Sequence, residues 1–214
     1  MKLPFPPALV ITDRHQAPKP LPQIAAQLFA GGCRWLSLRE KDLGPAERIS
    51  LLRQLIALGQ PSWACVMVHD DVAGAAEVGA AGVHLPANGN VAKARRLLGS
   101  SALIGQSAHT TDEVARAAAD GADYVTLSPI FATSSKPGYG PALGHAALNG
   151  AWRVPVVALG GIDPSNAHEC LVAGATGVAV MGGAMRAPDP QAFMADLLQA
   201  MGVGVALAER GSHS

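Results

Sequence analysis

The residues able to do chemistry fall into a few short groups. Late in the chain, Gly160-Gly161 follows the apolar run Val154–Leu159, and Gly182-Gly183 follows the run Gly177–Met181. Glycine lacks a Cβ, so backbone N–H groups at such pairs can approach an anion closely. One such pair is also what a plain tight turn requires. Two pairs at the ends of two matching apolar runs would aim several N–H donors at one phosphate. Arg39 and Lys41 alternate at the end of another apolar run, so their side chains can share a face. An Arg holds an anion bidentately, and a Lys supplies a mobile point charge. His69, His84 and His109 are of the type that takes and gives protons near neutral pH. His84 lies inside an apolar segment and reads as a hydrogen-bonded structural histidine. His109, just after Ser107, reads as a site residue. Asp70-Asp71 could bind Mg²⁺, which prefers carboxylates together with substrate phosphate oxygens. Asp71 is assigned to capping the following helix, which leaves Asp70 as the candidate ligand. The segment from Phe131 to Gly140 carries Thr133, Ser134, Ser135 and Lys136 between Gly and Pro residues. It is longer than a simple connector and suits a loop that closes over an anion, with an ordinary surface loop as the alternative.

Positioning these groups requires a repeated strand–helix unit. Short runs rich in β-branched residues, apolar on both faces, predict buried parallel strands at Ala8–Asp13, Trp35–Glu40, Ala64–His69, Gly82–Leu85, Leu103–Ser107, Tyr124–Ser128, Val154–Leu159 and Gly177–Met181. Helical spacing follows most of them, over Leu21–Ala30, Pro45–Leu58, the Ala-rich segment to Val78, Val91–Leu98, Thr110–Asp120 and Pro190–Met201. Asp163 and Pro164 predict the cap and first position of a further helix ending near Gly174. The sixth helical segment, around His145–Trp152, is short. An internal echo supports the count: Gly79-Ala-Ala-Gly-Val83, Gly121-Ala-Asp-Tyr-Val125 and Gly174-Ala-Thr-Gly-Val178 each close a helix and open an even-numbered strand. Eight βα units predict a single α/β domain, a (β/α)₈ TIM barrel over residues 1–201, with 202–214 as a flexible tail. In such a barrel the chemistry sits at the C-terminal strand ends, and phosphate sits on the loops after strands seven and eight. An open doubly wound sheet is the rival, but no early Gly-rich dinucleotide fingerprint is present.

Composition narrows the function. The 214 residues suit one barrel, commonly about 200–250 residues. Sixteen basic and sixteen acidic residues give zero formal net charge, which offers no field for nucleic acid or an anionic membrane. No apolar run reaches the roughly 18 residues of a membrane span, and no signal peptide is seen. Cys33, Cys65 and Cys170 are odd in number, widely spaced and set in apolar segments, as expected of reduced thiols in a cytoplasmic protein. The expected partner is a small molecule; a homo-oligomer is compatible with the sequence but not specified by it.

Seven motifs together carry a resemblance over nearly the whole chain. They are Leu38-Arg-Glu-Lys41, Met67-Val-His-Asp-Asp71, Gly82-Val-His-Leu85, Gly105-Gln-Ser-Ala-His-Thr110, Gly121-Ala-Asp-Tyr124, Ser128-Pro-Ile-Phe-Ala-Thr-Ser-Ser-Lys136 and Leu159-Gly-Gly-Ile162. The chain resembles the thiamine-phosphate synthase/TenI superfamily. The resemblance implies a barrel that binds a thiazole phosphate on backbone amides near Gly160, Gly161, Gly182 and Gly183. In the synthases, a pyrimidine diphosphate loses pyrophosphate with Mg²⁺ help, and the thiazole nitrogen captures the cation. Arg39, Lys41, Ser107 and Lys136 match the residues that hold the diphosphate, and Thr133 and Ser135 match loop hydroxyls. The chain departs from the synthase pattern at Ser37, at His69 and at Pro86-Ala87-Asn88-Gly89, which stands where the synthases carry Gly-Gln-Glu-Asp, so that the second metal carboxylate and a nearby amide are absent. Leu85-Pro86, the Ser-Lys-Pro-Gly loop ending and Val180-Met181-Gly182 look more like the TenI branch. The expectation is therefore a metal-free thiazole tautomerase, with Glu40, His69, His109 and Lys136 as its catalytic candidates. A histidine used by some members aligns with Pro129. The alternatives are a Mg²⁺-dependent synthase with Asp70 as metal ligand, and a non-catalytic paralogue that binds thiazole phosphate.

Overall fold

The computed structural model describes residues 3–132 and 141–203. Eight strands are present: β1 (Ala8–Ile11), β2 (Trp35–Leu38), β3 (Cys65–His69), β4 (Gly82–Leu85), β5 (Leu103–Ala108), β6 (Tyr124–Leu127), β7 (Val156–Leu159) and β8 (Gly177–Val180). They pair in parallel, in sequence order, and β8 closes on β1 with Leu9 opposite Ala179. The helices are α1 (Leu21–Ala30), α2 (Pro45–Gly59), α3 (Val72–Val78), α4 (Val91–Leu98), α5 (Thr111–Ala119), α6 (Ala167–Val172), α7 (Gly182–Arg186) and α8 (Pro190–Ala200). This is the (β/α)₈ barrel that the periodicity predicts. No described helix is long and apolar enough to cross a membrane.

Alternation along each strand divides the core in two. Leu9, Ile11, Trp35, Met67, Leu103, Tyr124, Val157 and Ala179 fill the barrel. Ala8, Val10, Leu36, Val68, Val83, Ile104 and Val125 instead join the apolar layer under the helices. Two of the chain's nine aromatic residues, Trp35 and Tyr124, pack together in this interior. Trp35 meets Tyr124 edge-on at 4.7 Å between ring centroids, and Tyr124 lies over Gly105, where a Cβ would stand 2.1 Å from its Cζ. The helix starts follow local chemistry. Asp71, Asn90, Thr110 and Asp189 each accept a hydrogen bond from a first-turn N–H, so Asp71 is the helix cap that was expected.

The structure corrects several boundaries: β1 ends at Ile11 rather than Asp13, and β2 at Leu38 rather than Glu40. β7 begins at Val156; Pro155 before it has no N–H to give the ladder, although its carbonyl already accepts from Val125 of β6. α6 runs from Ala167, and Asp163 caps the turn that leads into it: its carboxylate accepts from Ser165 N (2.8 Å) and Oγ (2.5 Å), and its carbonyl accepts from Ala167 N (3.1 Å). The sixth unit carries only a 3₁₀ turn, His145–Leu148. A short helix not anticipated from sequence, α7, starts directly on Gly182. The tail assigned to 202–214 lies outside the described residues from 204 onward. Cys33, Cys65 and Cys170 are free thiols.

Candidate active site

A cavity of about 520 Å³ opens where the strands end. Each strand end contributes to its wall: Ile11, Arg39 and Lys41, His69, His84 and Asn88, Ser107 and His109, Ser128, Gly160 and Gly161, and Gly182 and Gly183 with Arg186. Among the described lining residues, Arg39, Lys41 and Arg186 are cations, and Asp163 alone is a carboxylate. That excess of positive charge in a low-dielectric recess favours an anionic ligand.

The cations stand on a stitched corner between β1 and β2. Thr12 Oγ1 accepts from Arg39 N (2.8 Å) and donates to Glu40 Oε1 (2.7 Å). Glu40 also accepts from Arg14 N (3.1 Å) and Arg14 Nη1 (3.1 Å). Glu40 is only 2% exposed and is absent from the cavity wall, so the acid–base role expected for it does not match its position. Its carboxylate is turned toward the neighbouring strand end, where it holds the Arg39–Lys41 segment in place. The Arg14 guanidinium also binds Asp42 at 2.5 and 2.6 Å and holds that carboxyl well below the usual carboxylate range. Arg186 reaches Gln16, whose amide donates to Asp13 Oδ2 at 2.6 Å, so this third cation is oriented from the same corner. Arg186 was not singled out from sequence. The available signal was its place three residues after the Gly182-Gly183 pair.

The glycine pairs do two jobs. Gly160 (φ 102°) and Gly161 (φ 65°) occupy the left-handed region, and both line the cavity. A Cβ on Gly161 would stand 2.5 Å from the Ala132 carbonyl oxygen, so its small size also admits the β6 loop. Gly182 and Gly183 open α7, whose first N–H groups have no acceptors within the helix.

Histidines form the remaining wall. His69 and His84 have ring centroids 5.2 Å apart. His84 is 1% exposed and hydrogen-bonded, as a structural histidine should be, yet it lines the cavity. Its Nδ1 lies 2.9 Å from Tyr124 Oη, and its Nε2 lies 3.0 Å from Ser107 Oγ. His109 Nδ1 lies 2.9 Å from the Ser128 carbonyl oxygen. A carbonyl only accepts, so that nitrogen carries the proton, and Nε2 is the acceptor in the neutral ring. Gln106 Nε2 donates to the carbonyls of Pro86, Ala87 and Gly89, which pins the loop that presents Asn88.

Asp70 is exposed, has φ 55°, and lies outside the cavity wall. Asp71 is occupied by Gly74 N and by Arg48 Nε, each at 2.8 Å. No three His, Cys, Asp or Glu residues among those described gather into a metal-holding group. Asp163 is the one carboxylate among the described residues of the cavity wall, so a Mg²⁺ ion bound there would draw chiefly on substrate phosphate oxygens. Thr133, Ser135 and Lys136, expected to bind substrate, lie outside the described residues.

With this geometry established, comparisons with known proteins give the family. A family model described as thiamine monophosphate synthase matches residues 8–184. A thiamine-phosphate synthase from Methanoculleus marisnigri is 41% identical over 180 residues, covering 80% of this chain and 84% of that protein. One from Moorella thermoacetica is 37% identical over 185 residues, covering 85% and 88%. The solved structure of thiamine phosphate pyrophosphorylase from Pyrococcus furiosus superposes with a TM-score of 0.82 at 29% identity, covering 91% of this chain and 95% of that one. These relatives carry the synthase name, so they favour the synthase alternative over the tautomerase expectation. By the family match and these relatives, the chain belongs to the thiamine monophosphate synthase family.

Proposed function

We propose that this protein is a thiamine-phosphate synthase, joining a pyrimidine diphosphate to a thiazole phosphate with release of pyrophosphate. The observation that carries the reading is the cavity's two separate provisions for anions. The Gly160-Gly161 and Gly182-Gly183 ends of β7 and β8 suit the thiazole phosphate. Arg39 and Lys41, after β2, suit a diphosphate. In the reaction, the C–O bond to the diphosphate breaks and its electron pair leaves with pyrophosphate. The lone pair of the thiazole nitrogen forms the new C–N bond. Fixed cations near the leaving group stabilise charge that grows in the transition state without needing to reorganise. Arg39, Lys41 and Arg186 are assigned that work, with Ser107 as a neutral donor. Lys136, Thr133 and Ser135 enter on resemblance alone. Mg²⁺, when bound, would supply further charge neutralisation at the leaving pyrophosphate.

One observation favours a second reading, a thiazole tautomerase. Three histidines, His69, His84 and His109, line one cavity, and proton transfer needs only groups of this type. Single-turnover assays with each substrate set separate the two. Thiamine phosphate formed from diphosphate and thiazole phosphate supports the synthase. Aromatisation of a carboxylated thiazole phosphate, with no coupling, would replace it.

A further inference from the structure

The barrel interior holds a polar chain that anion recognition by itself does not require. Trp35 Nε1 donates to Met67 Sδ at 3.0 Å, and Tyr124 Oη lies 3.8 Å from the same sulfur. Tyr124 Oη also lies 2.9 Å from His84 Nδ1, and His84 Nε2 lies 3.0 Å from Ser107 Oγ and 3.4 Å from Thr126 Oγ1. Tyr124, Thr126 and His84 are buried, and His84 and Ser107 reach the cavity. We infer that Tyr124 and His84 form a fixed-polarity relay that sets Ser107 as a hydrogen-bond donor toward the anion in the cavity. The inference rests on the proposed role of Ser107 as a diphosphate ligand, and makes His84 a positioning residue.

The direction of the relay follows from hydrogen-bond inventory. A phenol hydroxyl has one proton to donate. Its choices are the His84 nitrogen at 2.9 Å or a thioether sulfur at 3.8 Å that already receives the Trp35 N–H. Nitrogen is by far the better acceptor at these distances. Burial pushes ionisation of Tyr124 well above its ordinary value, so the proton is present. Nδ1 therefore accepts, and the neutral ring carries its proton on Nε2. That N–H donates to Ser107 Oγ, with Thr126 Oγ1 as a weaker second acceptor. The hydrogen of Ser107 is then not directed at His84 and can turn to an acceptor in the cavity. Each bond polarises the next in a low-dielectric chain, which strengthens the final donor. The reversed tautomer would have Ser107 donate to His84 and present only lone pairs to an anion, which repel it.

The test is nitrogen NMR of the unliganded protein labelled with ¹⁵N-histidine. His84 is assigned among the seven histidines by comparison with His84→Gln. The relay predicts the Nε2–H tautomer in the wild type. Finding the Nδ1–H tautomer overturns it and leaves the synthase reading to turnover assays. Calorimetric titration with inorganic pyrophosphate supplies the second readout. Ser107→Ala should weaken binding about tenfold, the typical effect of losing one bond to a charged group. His84→Gln, which keeps an N–H near the Nε2 position, should stay within about threefold, and His84→Leu should approach the Ser107→Ala value. Equal affinities across Ser107→Ala, His84→Leu and the wild type overturn the relay, whatever the tautomer.

Discussion

Replacing Gly105 with Ala separates the account of the barrel interior from simple propensity. The backbone at Gly105 does not need glycine's left-handed freedom, and alanine is ordinarily the better strand residue by about 0.5–1 kcal/mol. Propensity alone therefore predicts a small gain in stability. The structure predicts the opposite. An added Cβ would stand 2.1 Å from Tyr124 Cζ, 2.3 Å from Cε1 and 2.4 Å from the hydroxyl oxygen. Tyr124 is fully buried and meets Trp35 edge-on, so its ring has no solvent to swing into. Overpacking costs about 1–3 kcal/mol, and a displaced ring also weakens the buried bond to His84, for about 2–5 kcal/mol in all. For a domain of this size that corresponds to a melting temperature lower by about 5–15 °C. Thermal and urea unfolding read the effect directly. In a Tyr124→Leu background the same Gly105→Ala change should cost less than half as much, because the two side chains compete for one space. An unchanged or raised melting temperature for Gly105→Ala would refute this packing argument.

Three other outcomes are expected. Arg39→Ala should weaken pyrophosphate binding by about 10- to 100-fold in calorimetry, with little change in the melting temperature, since the Arg39 backbone bond to Thr12 survives; loss of stability with affinity intact would contradict its assignment. Gly161→Val should lower stability as well as thiazole-phosphate affinity, because the new side chain meets Phe131 and Ala132 backbone at a left-handed position; a variant with wild-type melting and lost affinity would mean that the Gly161 space serves the phosphate alone. Burial pushes the Cys33 and Cys65 thiols up to about 12 and Tyr124 well above 10, whereas unfolded cysteine and tyrosine ionise near about 8.5 and 10. The folded state then holds more protons than the unfolded chain, so stability is full below about pH 8.5 and falls as pH rises toward those folded values. Urea midpoints that are flat from pH 7.5 to 10.5 would contradict it.

Legibility from sequence followed the range of the forces involved. Strand positions were readable because burial on both faces demands runs of Val, Leu and Ile, as in β1, β3 and β8. The glycine pairs and Arg39–Lys41 were readable because their chemistry is local. What escaped depended on partners distant in sequence. The burial of Glu40 is set by Thr12 and Arg14, more than 25 residues away in sequence. His84 was readable as hydrogen-bonded, but its place in the cavity wall depends on β5 and β6, which supply Ser107 and Tyr124. Asp163-Pro164 carries a strong helix-start signal, and Asp163 does accept from Ser165 N, but the regular helix sets in only at Ala167.

The most direct measurement mixes purified protein with pyrimidine diphosphate and thiazole phosphate in a Mg²⁺-containing buffer and follows thiamine phosphate and pyrophosphate together. The account predicts equal amounts of both products over many turnovers, with the rate cut at least tenfold by Arg39→Ala. Bound thiazole phosphate with neither product formed would contradict the synthase assignment.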